Sequence, residues 1–301
     1  MATLYTEKSK NIYKTFLLMG VFSLTVVFIS SFISWYLDNT LILYIGATSA
    51  LFTSVGSYWF SDKVVVSMTG AIPAKPTTHK ELIQIVENLS ITAGLPMPRV
   101  YVVNDPAPNA FATGRNPEHS IVAVTTGLLD ILNRSELEGV IAHELSHIGN
   151  RDMLVMTVAV VLAGFLAVLS DLFTRTLFYS GGRNSERQGG GNAILILVGI
   201  LGIILAPMAA RLIQFAVSRK REYLADASGA LLTRYPEGLA SALQKISQYK
   251  IPMRRASRAT AHLFISNPMP KKRGMAEKIS NLFSTHPPIE DRIRRLLGKD
   301  Y

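Results

Sequence analysis

The chain has 301 residues, 49% of them apolar and only 17% charged, with a mean hydropathy of +0.26. Ordinary soluble domains carry roughly 25% charged residues, so a disordered or strongly solvated chain is excluded and a purely soluble one is disfavoured. Cysteine is absent, which excludes disulfide scaffolds, thiol nucleophiles and thiolate metal sites; any metal must sit on His, Asp or Glu.

Thr15–Leu37 and Asn39–Ser61 contain no Asp, Glu, Lys or Arg. Each exceeds the roughly 20 residues needed to cross a hydrocarbon core. Little more than Asp38 and Asn39 separates them, so residues 1–61 read as a transmembrane helical hairpin, with Trp35, Tyr36, Tyr58 and Trp59 at the segment ends where aromatic belts form. The first apolar run is too long for a cleavable signal peptide, and a second follows at once.

Residues 62–152 have soluble character and read as the first part of a catalytic domain. Leu82, Ile85, Val86 and Leu89 share one face of a helix over Thr78–Thr92, which Gly94, Pro96 and Pro98 end. Arg99–Asn104, Ala110–Gly114 and His119–Thr126 are short, β-branched or aromatic, and divided by turn residues; they predict a small sheet. A helix follows, with Ser135 as N-cap and Glu138 at the capping-box spacing.

That helix carries His143-Glu144-Leu145-Ser146-His147, an HExxH pattern. Residues four apart share a helix face, so both imidazoles can reach one Zn²⁺ at about 2.0–2.1 Å. Glu144 is displaced around the helix, where it reaches the water on the ion and takes its proton as that water attacks a polarised carbonyl. A catalytic site needs a third protein ligand. The metzincin position for a third His holds Met153, so that subclass is excluded.

Met153–Ser170 and Ala193–Ala210 are shorter apolar segments, the second holding Pro207. They fit a second hydrophobic hairpin over residues 153–217, or else a buried helical pair, with Thr174–Asn192 as an exposed loop. Residues 218–301 complete the catalytic domain and bring Glu222 and Asp226, four apart on one helical face. One can bind zinc while the other hydrogen-bonds a ligand imidazole; the alternative is a solvated pair balancing Arg219, Lys220 and Arg221. His79, His119 and His262 have no partner spacing and read as surface or packing residues. The same stretch has seventeen Lys and Arg against seven Asp and Glu, which accounts for the whole net charge of +10. In an apolar chain that points to an anionic lipid surface rather than nucleic acid, for which no reader motif is present. Lys8, Lys10 and Lys14 ahead of the first span place the N-terminus and both catalytic segments in the cytoplasm.

HExxH followed by Asn150-Arg151-Asp152, Arg221-Glu222-x-x-Ala225-Asp226, Asn109-Ala-Phe-Ala-Thr-Gly114 and Thr285-His-Pro-Pro288 together resemble the HtpX family. These are bacterial inner-membrane zinc proteases related to the CAAX prenyl proteases, and the likeness covers nearly the whole chain. It implies an α+β, mostly helical integral membrane protein with a gluzincin-like catalytic domain and one Zn²⁺ per chain. His143, His147 and Glu222 would be ligands, Glu144 the general base, and Asp226 a partner of a ligand imidazole. Asn109, Ala110, Phe111, Ala112, Thr113 and Gly114 would form an edge to which an extended substrate adds as a strand. His286, with Arg292, would face the scissile carbonyl and stabilise the oxyanion. The activity implied is endoproteolysis of unfolded or damaged membrane and cytoplasmic-face proteins, a stress-response and quality-control role. Two other readings are an intramembrane-cleaving zinc protease and a non-enzymatic membrane scaffold with structural zinc. The first requires costly charges such as Glu136 and Asp152 inside the bilayer, and the second leaves Glu144 without a purpose.

Overall fold

Long uncharged runs leave the backbone no partner but itself in lipid, and they fold as helices. In the computed structural model, which describes residues 4–181, 205, 207–214, 216, 218–249, 251–256, 260–268 and 287–298, α1 (Leu4–Tyr36) and α2 (Thr40–Thr69) form the N-terminal hairpin. Asp38 turns the tip in the left-handed region at φ 48°, and Asn39 caps α2 by accepting from the Leu41 N–H. Both helices run past the apolar segments read from sequence. Among the described residues, three helical stretches are long and apolar enough to cross a membrane: Ser9–Tyr36, Thr40–Thr69 and Asp152–Asp171.

The third lies within α6 (Asp152–Gly181), which continues through the first part of the expected loop. An ion pair between Asp171 and Arg175 (2.8 Å) and a Thr174 hydroxyl bonded to the Ser170 carbonyl (2.7 Å) carry the helix beyond its apolar run. Leu18, Phe22 and Val26 of α1 and Leu154, Val158 and Leu162 of α6 close an apolar cluster that also takes in Ala50 of α2 and Leu205, Ala209 and Leu212. The rest of the expected loop, 182–192, and most of the fourth apolar segment lie outside the described residues.

The sheet has four strands, ordered β1-β2-β4-β3: β1 (Ile72–Pro73), β2 (Arg99–Val103), β3 (Ala110–Gly114) and β4 (Ser120–Thr125). β2 and β4 run parallel and the outer pairs antiparallel. The two-residue β1 is too short to leave a periodic signal. Val102, Ala110, Ala112, Val122 and Val124 face α3 (Lys80–Ala93), the short α4 (Thr126–Ile131) and α5 (Arg134–Gly149). Val103, Phe111 and Ala123 face Val65 of α2, Met156 and Val160 of α6, and Leu263 and Phe264. The sheet therefore sits between the membrane helices and the helical layer that carries the HExxH motif.

The N-cap of α5 is Asn133, not Ser135. Its side chain accepts from the Glu136 N–H (3.0 Å) while the Glu136 carboxylate accepts from the Asn133 N–H (2.8 Å). Ser135 offers a similar oxygen, but Glu136 is also held by Ser241 (2.6 Å) and Lys245 (2.7 Å) of α8 (Pro236–Gln248), and this tertiary contact selects the register.

Candidate metal centre

Every helix involved is there for a local reason. α5 is buried along nearly its whole length and brings His143, Glu144 and His147 inward together. α7 (Arg219–Thr233) packs across it at Gly229, where a Cβ would come within 2.9 Å of the His143 backbone nitrogen. That close approach carries Glu222 and Asp226, seven and three residues earlier, onto the two imidazoles.

His143 Nε2 and His147 Nε2 are 3.2 Å apart. Glu222 Oε2 lies 3.9 Å from the first and Glu222 Oε1 3.6 Å from the second. Two ligands about 2.1 Å from a tetrahedral ion stand about 3.4 Å apart, so the donor set fits a divalent metal ion. Among the described residues these three form the group able to hold one, their ligand atoms all within 4.8 Å of one another.

The outer nitrogens carry the complementary pattern. His143 Nδ1 is 3.0 Å from Asp226 Oδ1, and His147 Nδ1 is 3.3 Å from Asp152 Oδ2. A carboxylate on Nδ1 fixes the tautomer and turns the lone pair of Nε2 toward the ion. Asp226 was legible as half of a helical pair. Asp152 has no such helical spacing to His147, because α5 ends at Gly149 and Arg151 then turns the chain at φ 56°. Helical spacing carries no information across that break.

Arg292 of α9 (Ile289–Leu296) is fully buried behind this centre. Its Nε and NH2 donate to the two oxygens of Asp226 (2.8 and 2.7 Å), and NH1 donates to the Ile265 carbonyl (3.0 Å). The structure thus brings Arg292 to the centre, paired with Asp226. His286 lies outside the described residues.

Burial would raise the Asp226 carboxyl, but the charge of Arg292 and its hydrogen bonds, with that of His143, hold it at about 2. Burial lowers the His143 pKa, helped by the charges of Arg292 and His147 and against Asp226, so this imidazole is neutral and ready to ligate. Burial also opposes the charged form of His147, yet the hydrogen bond to Asp152 and the nearby charges of Glu222, Asp152 and Glu144 push it up to about 9. Burial lifts Glu144 to about 7, the charge of His147 opposing and that of Glu222 adding.

Ala112, His143, Glu144, His147, Met153, Met156, Glu222 and Leu263–Ile265 line a cavity of about 10 Å³ at the cluster. That is room for one water, not a peptide. The family resemblance implies that Asn109–Gly114 forms an edge, and β3 is one of the two edge strands of the sheet. The edge is partly occupied by the chain itself: Phe264 pairs antiparallel with Phe111, and the Ile265 N–H donates to the Ala110 carbonyl (2.9 Å). Asn109 sits just before the strand and is buried; its amide donates to the Ser266 carbonyl (2.9 Å) and accepts from the Ser266 N–H (3.2 Å). In an antiparallel ladder, residues two apart point their backbone groups the same way. Ala112 therefore faces outward like Ala110, and its N–H donates to the Glu144 carboxylate. His79 and His119 are away from the centre, hydrogen-bonded locally to Thr78 and Asn116, and His262 is buried.

The family model of peptidase family M48 matches residues 76–300. The chain is 47% identical over 298 residues to a protease HtpX homolog of Caldanaerobacter subterraneus subsp. tengcongensis, covering 98% of this chain and 97% of that one. It is 53% identical over 255 residues to a protease HtpX homolog of Pyrococcus furiosus, covering 84% of each. In fold it is similar to the crystal structure of S. mikatae Ste24p, with a TM-score of 0.51 at 18% identity, covering 99% of this chain and 67% of that one. The family match starts ahead of α3 and runs past Arg292, taking in each residue that meets at the cluster, and the chain belongs to peptidase family M48 as a membrane metalloprotease.

Proposed function

We propose that the protein is a zinc endopeptidase of the bacterial inner membrane, its centre facing the cytoplasm, that cleaves unfolded or damaged membrane and cytoplasmic-face proteins in stress-linked quality control. The observation that carries the reading is the placement of Glu144, a carboxylate raised to about 7, in the one cavity wall shared by both imidazoles and Glu222. Zinc is favoured over harder ions by a His₂Glu donor set. The named relatives are protease HtpX homologs, which supports proteolysis.

When bound, the ion supplies Lewis acidity toward the peptide carbonyl and acidifies water there. Glu144 takes the proton of the water as its oxygen forms the new C–O bond at the carbonyl carbon, then delivers that proton to the amide nitrogen, which leaves as the C–N bond breaks. The Ala112 N–H beside Glu144 favours the charged carboxylate. Asp226 and Asp152 hold the imidazoles, and Arg292 holds Asp226. The extended substrate lies along the outer edge of β3 beside Ala112, so Leu263–Ile265 must give way for it to enter. Ala112 offers its carbonyl there as a main-chain acceptor, which demands extended backbone and little sequence. Unfolded chains meet that condition. An intramembrane site is disfavoured because His143 and His147 stand on α5, ahead of the third span rather than inside it.

The test is proteolysis of an unfolded protein in detergent by the parent and by Glu144→Gln, each with and without a chelator. The expected result is chelator-sensitive cleavage by the parent and a loss of at least about a hundredfold in the variant, with metal content unchanged. Cleavage that persists in Glu144→Gln, or is indifferent to the chelator, rejects the proposal.

A further inference from the structure

Asn11 is a polar residue at the beginning of an apolar transmembrane helix, and it is 1% exposed. Unsatisfied, a buried amide there would be costly. All of its polar atoms have partners from distant parts of the chain. Nδ2 donates to the Asn150 carbonyl (3.1 Å) and to Asp152 Oδ1 (2.6 Å), and Oδ1 accepts from Arg221 NH1 (3.1 Å). Asp152 is the first residue of α6, and Arg221 directly precedes Glu222 on α7. Arg221 NH1 also stands 3.6 Å from Asp152 Oδ1.

We propose that Asn11 is a positioning residue of the metal centre, acting from the first transmembrane helix through the Asp152 carboxylate on the His147 ring. The inference rests on the metal-centre reading above. Asn11 and Arg221 together fix one oxygen of Asp152, which leaves Oδ2 turned to His147 Nδ1 at 3.3 Å. Without the amide, the carboxylate is free to rotate onto Arg221, and His147 loses the group that orients its Nε2. The same amide holds Arg221, so it sets the backbone from which the third ligand projects. The centre is thereby linked to the docking of α1 against α6 and α7.

The experiment uses the full chain in detergent, stripped of metal. Zinc affinity is measured by competition with a chromophoric chelator, and ligand geometry by the visible spectrum of the cobalt(II) form. Asn11→Ala is expected to weaken zinc about tenfold, the lower end of what outer partners of ligating imidazoles cost, and to alter the cobalt spectrum. In an Asp152→Ala background the same change should cost markedly less, leaving only what is transmitted through Arg221. Ser23→Ala removes a separate interhelical hydrogen bond of α1, to Ser54 (2.9 Å), and should leave both readouts unchanged. Should Asn11→Ala fail to fold, Asn11→Ser, too short to reach Asp152, carries the measurement with the same expectation. Parent-like affinity and spectrum in a folded Asn11 variant, or full additivity with Asp152→Ala, overturns the proposal. A parent that takes up no metal overturns the metal-centre reading, and this inference with it.

Discussion

Two imidazoles one helical turn apart have been given opposite characters. His143 is held neutral by burial, whereas His147 is held protonated by the carboxylates around it. Without an ion, the proton on His147 occupies the charge-compensating role that the ion would take. Metal must expel that proton, and below a pKa of about 9 it is present. Affinity should therefore rise with pH, about tenfold per unit by mass action, and level off near pH 9; chelator competition between pH 6.5 and 9.5, read as approximate set points, tests this. An affinity flat across that range would show that His147 is not raised. At this scale the grouping of His143, Glu144, His147, Glu222 and Asp226 was legible, because HExxH and the Glu222–Asp226 pair each lie within one helix and obey its period. Asp152 and Asn11 were not, since a chain reversal separates the first from His147 and the second comes from another helix altogether.

At the scale of elements, the centre depends on how closely α7 lies on α5. Gly229→Ala places a methyl against the His143 nitrogen and the Ala142 carbonyl carbon, at 2.9 and 3.2 Å. Both are backbone atoms and cannot swing away. The expected outcome is a loss of about 1–3 kcal/mol in stability, the usual range for overpacking, together with weaker zinc binding because Glu222 and Asp226 move with α7. Thermal melts with and without zinc check it, and a variant as stable and as tightly bound as the parent would contradict the packing. Periodicity read the type of these elements well, including α3 and three of the four strands. It could not read their ends: Glu136 prefers its contacts on α8 and draws the cap of α5 back to Asn133. Nor could it show that Phe264 and Ile265 partly cover the edge of β3, a contact between segments more than 150 residues apart.

For the molecule as a whole, the proposed orientation puts the α1–α2 tip outside and the sheet in the cytoplasm. The absence of cysteine makes this simple to check, since any introduced thiol is the sole target. Thr40→Cys, exposed at the tip, should react with an impermeant maleimide in intact spheroplasts, and the exposed Lys75→Cys only after permeabilisation. The reverse pattern would invert the topology. The spans of the first hairpin were plain from composition, because an uncharged run of that length has few other uses. The placement of the soluble segments around them was not, because it is set by contacts such as Thr113 to Thr157 (3.0 Å), each between residues unremarkable alone.

The burial of Arg292 behind Asp226 has a temporal meaning. The ribosome releases the HExxH helix well before Glu222, and Glu222 well before Arg292, so the nascent polypeptide carries an incomplete ligand set and then an Asp226 without its counter-charge. Hydrolytic competence is thus deferred until Arg292 has emerged, by which time α1, α2 and α6 have already been made and can be in the membrane.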